Sequence, residues 1–173
     1  DCVSLGIVVN QQGQRFYDEG EDFWPKRYAI WGRLTALQPG QVAHSVIDAK
    51  AVGRFMPPVF PGAKADSLPA LARLLKLDEG IFVKTIADFN AACRIGRFDH
   101  TVLDDCHTEG LSPAKTHWAR PIDTPPFYGY TLKPGLDQAL YNKLQVISVQ
   151  YVGDVLKVTG TYQEKAVFGG QAN

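Results

Sequence analysis

The sequence predicts an α+β fold, and three observations carry that prediction. Apolar residues recur at helical spacing in three stretches, near residues 24–37, 67–75 and 78–93. Short β-branched or alternating runs bounded by turn residues lie before, between and after them. The composition, 45% hydrophobic and 21% charged over 173 residues, supports a packed core, and at roughly 150 residues per domain the length fits one core with an appendage.

Each element follows from local chemistry. Gly6-Ile7-Val8-Val9 and Gln14-Arg15-Phe16-Tyr17 flank Asn10-Gln11-Gln12-Gly13, whose Asn and Gly tolerate positive φ, so an N-terminal β-hairpin is expected. The acidic turn Asp18 to Asp22 precedes a helix from Trp24 to Leu37, with Pro25 in its first turn and Tyr28, Trp31 and Leu34 at helical spacing. Gln38-Pro39-Gly40 stops that helix. Gln41 to Ile47 reads as a buried strand, Ala49 to Phe55 as a short helix, and Pro57, Pro58, Pro61 and Gly62 as a surface loop. Asp66 or Ser67 can cap a helix bearing Leu68, Leu71, Leu74 and Leu75, and Asp78 can cap another bearing Phe82, Ile86, Phe89 and Cys93.

Ile95 to Pro126 is irregular, with at most a short helix at Ser112-Pro113, and a loop of that length is expected to be functional or pinned to another domain. Phe127 to Leu132 alternates as a strand. After Lys133-Pro134-Gly135 the composition changes: Leu136 to Leu144 reads as a helix, and Val146 to Val152 and Val155 to Val167 as a second hairpin around Gly153-Asp154. The expected organisation is a domain over residues 1–136 and a C-terminal extension over 137–173 packed on the same core.

Composition excludes several function classes. Eighteen basic side chains balance eighteen acidic ones, so no net field attracts nucleic acid or anionic lipid. No apolar run reaches the roughly 20 residues of a membrane span, and Asp1-Cys2-Val3-Ser4 lacks the regions of a secretory signal. A start without Met fits a processed product or an excised fragment. Cys2, Cys93 and Cys106 are odd in number, which predicts free thiols and a reducing, cytoplasmic compartment.

Few constellations carry chemistry. Asp99-His100 and Asp104-Asp105-Cys106-His107 contain metal-capable groups, but their spacing matches no paired ligand motif, so no metal is expected. Cys106-His107 lacks an orienting third group for nucleophilic catalysis. Neither GxGxxG nor GxxxxGK[ST] occurs, which disfavours a stand-alone dinucleotide-binding enzyme. Lys26, Arg27 and Arg33 share the aromatic-rich first helix. Either an arginine there clamps a carboxylate or delivers a proton to a substrate carbanion, or the three form a solvated face above a core of Trp24 and Trp31.

The segment Gly6-Ile7-Val8-Val9-Asn10-Gln11-Gln12-Gly13-Gln14-Arg15-Phe16-Tyr17-Asp18-Glu19-Gly20 resembles the G(I/L)xVNxxGxRFxDEG stretch of flavoproteins related to fumarate reductase and succinate dehydrogenase, with its nearest likeness on the tricarballylate dehydrogenase side. Three further stretches occur in the family's order. They are Tyr28-Ala29 through Gly32-Arg33 with Gln38-Pro39-Gly40 and Asp48; Ser67-Leu68-Pro69-Ala70-Leu71-Ala72 leading to Thr85-Ile86-Ala87-Asp88-Phe89-Asn90; and Pro125-Pro126-Phe127-Tyr128-Gly129. The resemblance covers residues 5–136 and implies the α+β capping domain, which in these enzymes closes over the FAD and shields substrate from water.

The resemblance implies hydride transfer between flavin and a di- or tricarboxylate in the whole enzyme, with FAD as cofactor. No counterpart of the family's FAD fingerprint is present, so the chain alone is expected not to bind FAD tightly and to be inactive, with a flavin-binding domain or protein as partner. The family's proton-carrying arginine falls at Phe23 in an ungapped alignment. Arg27 and Lys26 are the nearest basic residues, which makes Arg27 the catalytic candidate and Lys26 and Arg33 the substrate-binding candidates. Arg15 and Glu19 are expected to brace the hairpin. The segment 137–173 departs from the family's return to the flavin domain, and it can cover the surface left without a partner, as can a second copy of the chain. The alternative is a non-enzymatic module that keeps the cap fold and binds a small carboxylate or a protein. A hydrolase using Cys106 is the remaining possibility.

Overall fold

The computed structural model describes residues 2–56, 58, 60–134, 144–152 and 155–162. Chain contacts divide it into two units, Asp1–Pro134 and Gly135–Asn173.

In the first unit, β1 (Ile7–Asn10), β2 (Ala43–Ile47), β3 (Ala63–Ala65) and β6 (Phe127–Leu132) form one antiparallel sheet in the order β1-β2-β6-β3. Alternation along β1 explains the layering. Ile7 and Val9 join Val46 in a cluster with Leu71 and Ala72 of α2 (Leu68–Leu75) and Phe82, Ile86 and Phe89 of α3 (Glu79–Ala92). Val8 points to the other face, where it meets Val3, Ala43 and Trp31 of α1 (Trp24–Ala36). Every residue of β1 and β2 is buried, as strands covered on both faces must be.

The helices begin and end where local chemistry dictates. Ser67 Oγ accepts the Ala70 N–H at 3.3 Å and Asp78 Oδ1 accepts the Ile81 N–H at 2.8 Å, so Ser67 rather than Asp66 is the cap of α2. Phe82, Ile86 and Phe89 are each fully buried, a burial of about 1.5–3 kcal/mol per side chain. The α2 stripe is narrower than its leucines suggest: Leu71 is buried, Leu68 and Leu75 are half-buried, and Leu74 is 58% exposed while Ala72 faces inward. Asp78→Ala should lower unfolding free energy by about 1 kcal/mol in a denaturant titration, leaving the Ile81 amide without its acceptor. An unchanged midpoint would remove the cap from the account.

The structure amends four expectations. The N-terminal hairpin is abbreviated: Asn10 Oδ1 accepts from the Gln12 and Gln14 amides and closes the turn, but the returning arm pairs only through a Val9–Arg15 bridge. The cause is Glu19, whose Oε1 takes the Val8 N–H at 2.8 Å and replaces a strand partner. The helix expected over 49–55 is a single 3-10 turn, Ala49–Ala51, capped by Asp48. The Pro-rich loop is followed by the short edge strand β3, unread in the sequence because three residues give no periodicity. Ser112-Pro113 starts no helix, while β4 (Cys93–Arg94) pairs with β5 (His107–Thr108).

The second unit contains an antiparallel pair, β7 (Leu144–Val152) with β8 (Val155–Tyr162), at the place of the predicted C-terminal hairpin. The helix expected over 136–144 lies outside the described residues up to 143, and Leu144 begins β7. Among the described residues, no helix is long and apolar enough to cross a membrane.

Candidate functional site

The residues of the Arg-Phe-x-x-Glu segment build a buried polar brace. Arg15 binds Glu19 through two parallel contacts, Nε to Oε1 at 3.0 Å and a terminal nitrogen to Oε2 at 2.5 Å. Their side chains are 4% and 0% exposed. Arg15 also donates to Pro113 O at 2.6 Å and lies over the Phe89 ring, so one guanidinium ties the hairpin to the long loop and to α3. Gly20 follows because its backbone passes so close to His117 that a Cβ would collide with main-chain atoms. Asp18 completes the turn, accepting from the Gly20 and Thr116 amides and the Thr116 hydroxyl. The expectation that Arg15 and Glu19 brace rather than react agrees with this saturated geometry.

Lys115, which carries no sequence signal in its irregular loop, is a second deeply buried charge beside the Arg15–Glu19 pair. It is 1% exposed and its Nζ donates to Ser4 O at 2.8 Å and to Gly6 O. Burial, against the pull of Glu19 and helped by the like charge of Arg15, pushes its ammonium down to about 8. The loop is thus pinned within its own unit, where the sequence suggested pinning to another domain. Trp118 contributes too: its indole N–H is shared between Asp99 O at 3.0 Å and Val102 O at 2.8 Å.

The three basic candidates of α1 are not brought to one point. Lys26 is 65% exposed and pairs with Asp22 at 3.2 Å. Arg27 pairs with Glu21 at 3.1 Å and is 27% exposed, but its Nε is buried with no hydrogen-bond partner among the described residues. Arg33 is exposed. At 100° per residue, Lys26 and Arg33 share a face about 10 Å apart along the axis, and Arg27 is turned away from both. Phe23, the position that aligns with the family's arginine, packs on Trp118 with ring centroids 5.5 Å apart.

The acidic and thiol groups of the long loop serve structure. Asp104 accepts from the Cys106, Trp118 and Asp99 amides, and Asp99 accepts from the Thr101 amide and hydroxyl. Cys106 is fully buried, and desolvation raises its thiol above the ordinary value, which disfavours the thiolate a nucleophile needs. His107 Nδ1 is engaged by Asp105 O at 2.8 Å. All three cysteines are free.

FAD, the cofactor implied by the resemblance, does not fit the residues present. Among the described residues, no glycine-rich turn joins a strand to a helix. The N-termini of α2 and α3 are already taken by Ser67 and Asp78, and Asp78 puts negative charge where a phosphate would have to sit.

The three-layered α+β fold, with its abbreviated hairpin and capped helix pair, recurs as a part of larger solved proteins. Its counterparts among solved structures include the open conformation of a flavocytochrome c3 fumarate reductase, with a TM-score of 0.50 and 19% identity over 75% of this chain and 21% of that one. A second is the 3-ketosteroid-Δ4-(5α)-dehydrogenase from Rhodococcus jostii RHA1 in complex with 4-androstene-3,17-dione, with a TM-score of 0.51 and 23% identity over 75% of this chain and 27% of that one. At these identities the likeness is one of fold, and this chain spans 21% and 27% of the length of the two enzymes. No protein-family model matches the chain, and no curated protein matches it.

Proposed function

We propose that this chain is the substrate-capping domain of a flavoprotein oxidoreductase of the fumarate reductase and succinate dehydrogenase type, on the tricarballylate dehydrogenase side of that family. The carrying observation is that three quarters of this chain shares its fold with about one fifth of a fumarate reductase. FAD belongs to a separate domain or polypeptide in this reading, because the N-termini of α2 and α3 are taken by Ser67 and Asp78 and that of α1 follows an acidic turn. Unpaired cysteines support a reducing, cytoplasmic setting.

In this reading Arg27 is the candidate proton carrier and Lys26 and Arg33 the candidate carboxylate contacts. Support for Arg27 is that its contacts to Glu21 and Asp22 both run through one terminal nitrogen while the side chain stays 27% exposed. The same observation supports a second reading, a non-enzymatic module binding a small di- or tricarboxylate at α1.

The purified chain is expected to carry no stoichiometric flavin absorbance after incubation with FAD and gel filtration, and to show no reductase activity alone. Tight one-to-one FAD retention would overturn the capping reading. Citrate or tricarballylate should raise the melting temperature, and Arg27→Gln with Arg33→Gln should abolish the rise. A rise that survives both substitutions would move the carboxylate site off α1.

A further inference from the structure

A second cluster of positive charge involves none of Lys26, Arg27 and Arg33. Arg54 and Arg120 both stack on the Phe98 ring, with guanidinium carbons 5.3 Å and 3.6 Å from its centroid. His100 is stacked on the same ring at 6.3 Å and 12°. Among the described residues neither arginine forms an ion pair. Arg54 spends its Nε on Lys50 O at 3.0 Å, which leaves its terminal nitrogens available, and the Nε of Arg120 is buried without a hydrogen-bond partner.

The acidic groups whose charge reaches Arg120 do not neutralise it. Asp48 accepts from the Lys50, Asp123 and Thr124 amides and pairs with Lys50 at 2.6 Å. Asp104 is saturated by three amides, as described above. Burial, and next the like charge of Arg54, lower the Arg120 value. Two guanidiniums held together without a counterion raise each other's energy, and an anion placed beside them would relieve it.

The cluster opens on a cavity of about 410 Å³, within the range of small-molecule sites. Arg54 and His100 line it, facing apolar surface from Phe23, Phe55, Met56 and Trp118. One polar corner beside an open aromatic and apolar wall favours a ligand with one charged end and an apolar body over a citrate-like polyanion.

We infer that this cavity is a binding site for an amphipathic monocarboxylate, its carboxylate held by Arg54 and His100 with Arg120 adding positive potential through Phe98, and its aryl or alkyl body lying between Phe23, Phe55, Met56 and Trp118. Planar guanidinium geometry matches a carboxylate in two parallel contacts. The site lies within this chain's first unit and does not depend on the capping reading.

The test uses phenylbutyrate as probe and phenylbutyramide as its uncharged isostere, followed by tryptophan fluorescence and the Trp118 indole resonance. The acid should shift that resonance and saturate, the amide should not, and Arg54→Gln should weaken the acid by about tenfold or more. Arg120→Gln should weaken it less, with far-ultraviolet circular dichroism checking its fold, and Lys84→Gln on α3 should leave it unchanged. Equal binding of acid and amide, no binding of the acid at millimolar concentration, or unchanged affinity in Arg54→Gln would each overturn the inference. Because FAD retention is read separately, failure of the capping reading and failure of this site are distinguishable.

Discussion

Glu19→Ala is expected to destabilise the chain by about 3–5 kcal/mol, the largest effect of any substitution considered. The physical reason is what remains, because the substitution leaves Arg15 charged and 4% exposed in its side chain with no carboxylate, and leaves the Val8 amide without its acceptor. An orphaned buried amide alone costs about 1–3 kcal/mol. Glu19→Gln should cost less, since a side-chain oxygen can still accept from Val8 while the charge is lost. Urea unfolding of the three proteins measures the difference. The double substitution Arg15→Met with Glu19→Leu should recover much of the loss, as removing both partners leaves no uncompensated charge. A loss below about 1 kcal/mol in Glu19→Ala would mean that water reaches the brace and that the hairpin is held by packing alone.

The second large effect is a pH dependence carried by Lys115. In the unfolded chain its ammonium titrates near 10.5, and in the folded chain burial lowers this to about 8. Between those values the unfolded state binds more protons than the folded one, so unfolding free energy rises as pH increases. Below about 8 both states are protonated and the cost of the buried charge is fully present, about 3 kcal/mol. Above 10.5 both are neutral and the cost is gone, while a neutral amine still donates to Ser4 and Gly6. Lys115→Met lacks this titration, so the stability of the natural chain should gain on that of the variant as pH climbs from 8 to 10.5. Parallel curves across that window would show that the two carbonyls hold the proton on Lys115 in the folded state.

Both predictions concern groups that differ in how far the sequence reveals them. Glu19 was readable, since its place in the Arg-Phe-x-x-Glu segment marks it as part of a brace. Its displacement of a strand partner was not readable, because nothing in a linear sequence says that a carboxylate four residues after Arg15 returns to the amide of Val8. Lys115 was invisible, as its neighbours Ala114 and Thr116 form no pattern, and its burial arises only when the loop folds under the start of β1. Among the basic candidates, helical spacing alone separates Arg27 from Lys26 and Arg33. The pairing of Lys26 with Asp22 and of Arg27 with Glu21, and the unpartnered Arg27 nitrogen, required coordinates.

The amino-acid order by itself determined the elements with short-range causes. Helix α1 follows from Pro25 and its aromatic spacing, α2 and α3 from the caps Ser67 and Asp78 with apolar periodicity, and β2 and β6 from apolar and alternating runs between turn residues. These depend on propensity and pattern within a few residues, which a sequence records directly. Tertiary structure alone decided the order β1-β2-β6-β3, the truncation of the hairpin, and the gathering of Arg54, Phe98, His100 and Arg120. Those outcomes join residues up to about a hundred positions apart, where chain closure and the satisfaction of buried polar groups outweigh local preference.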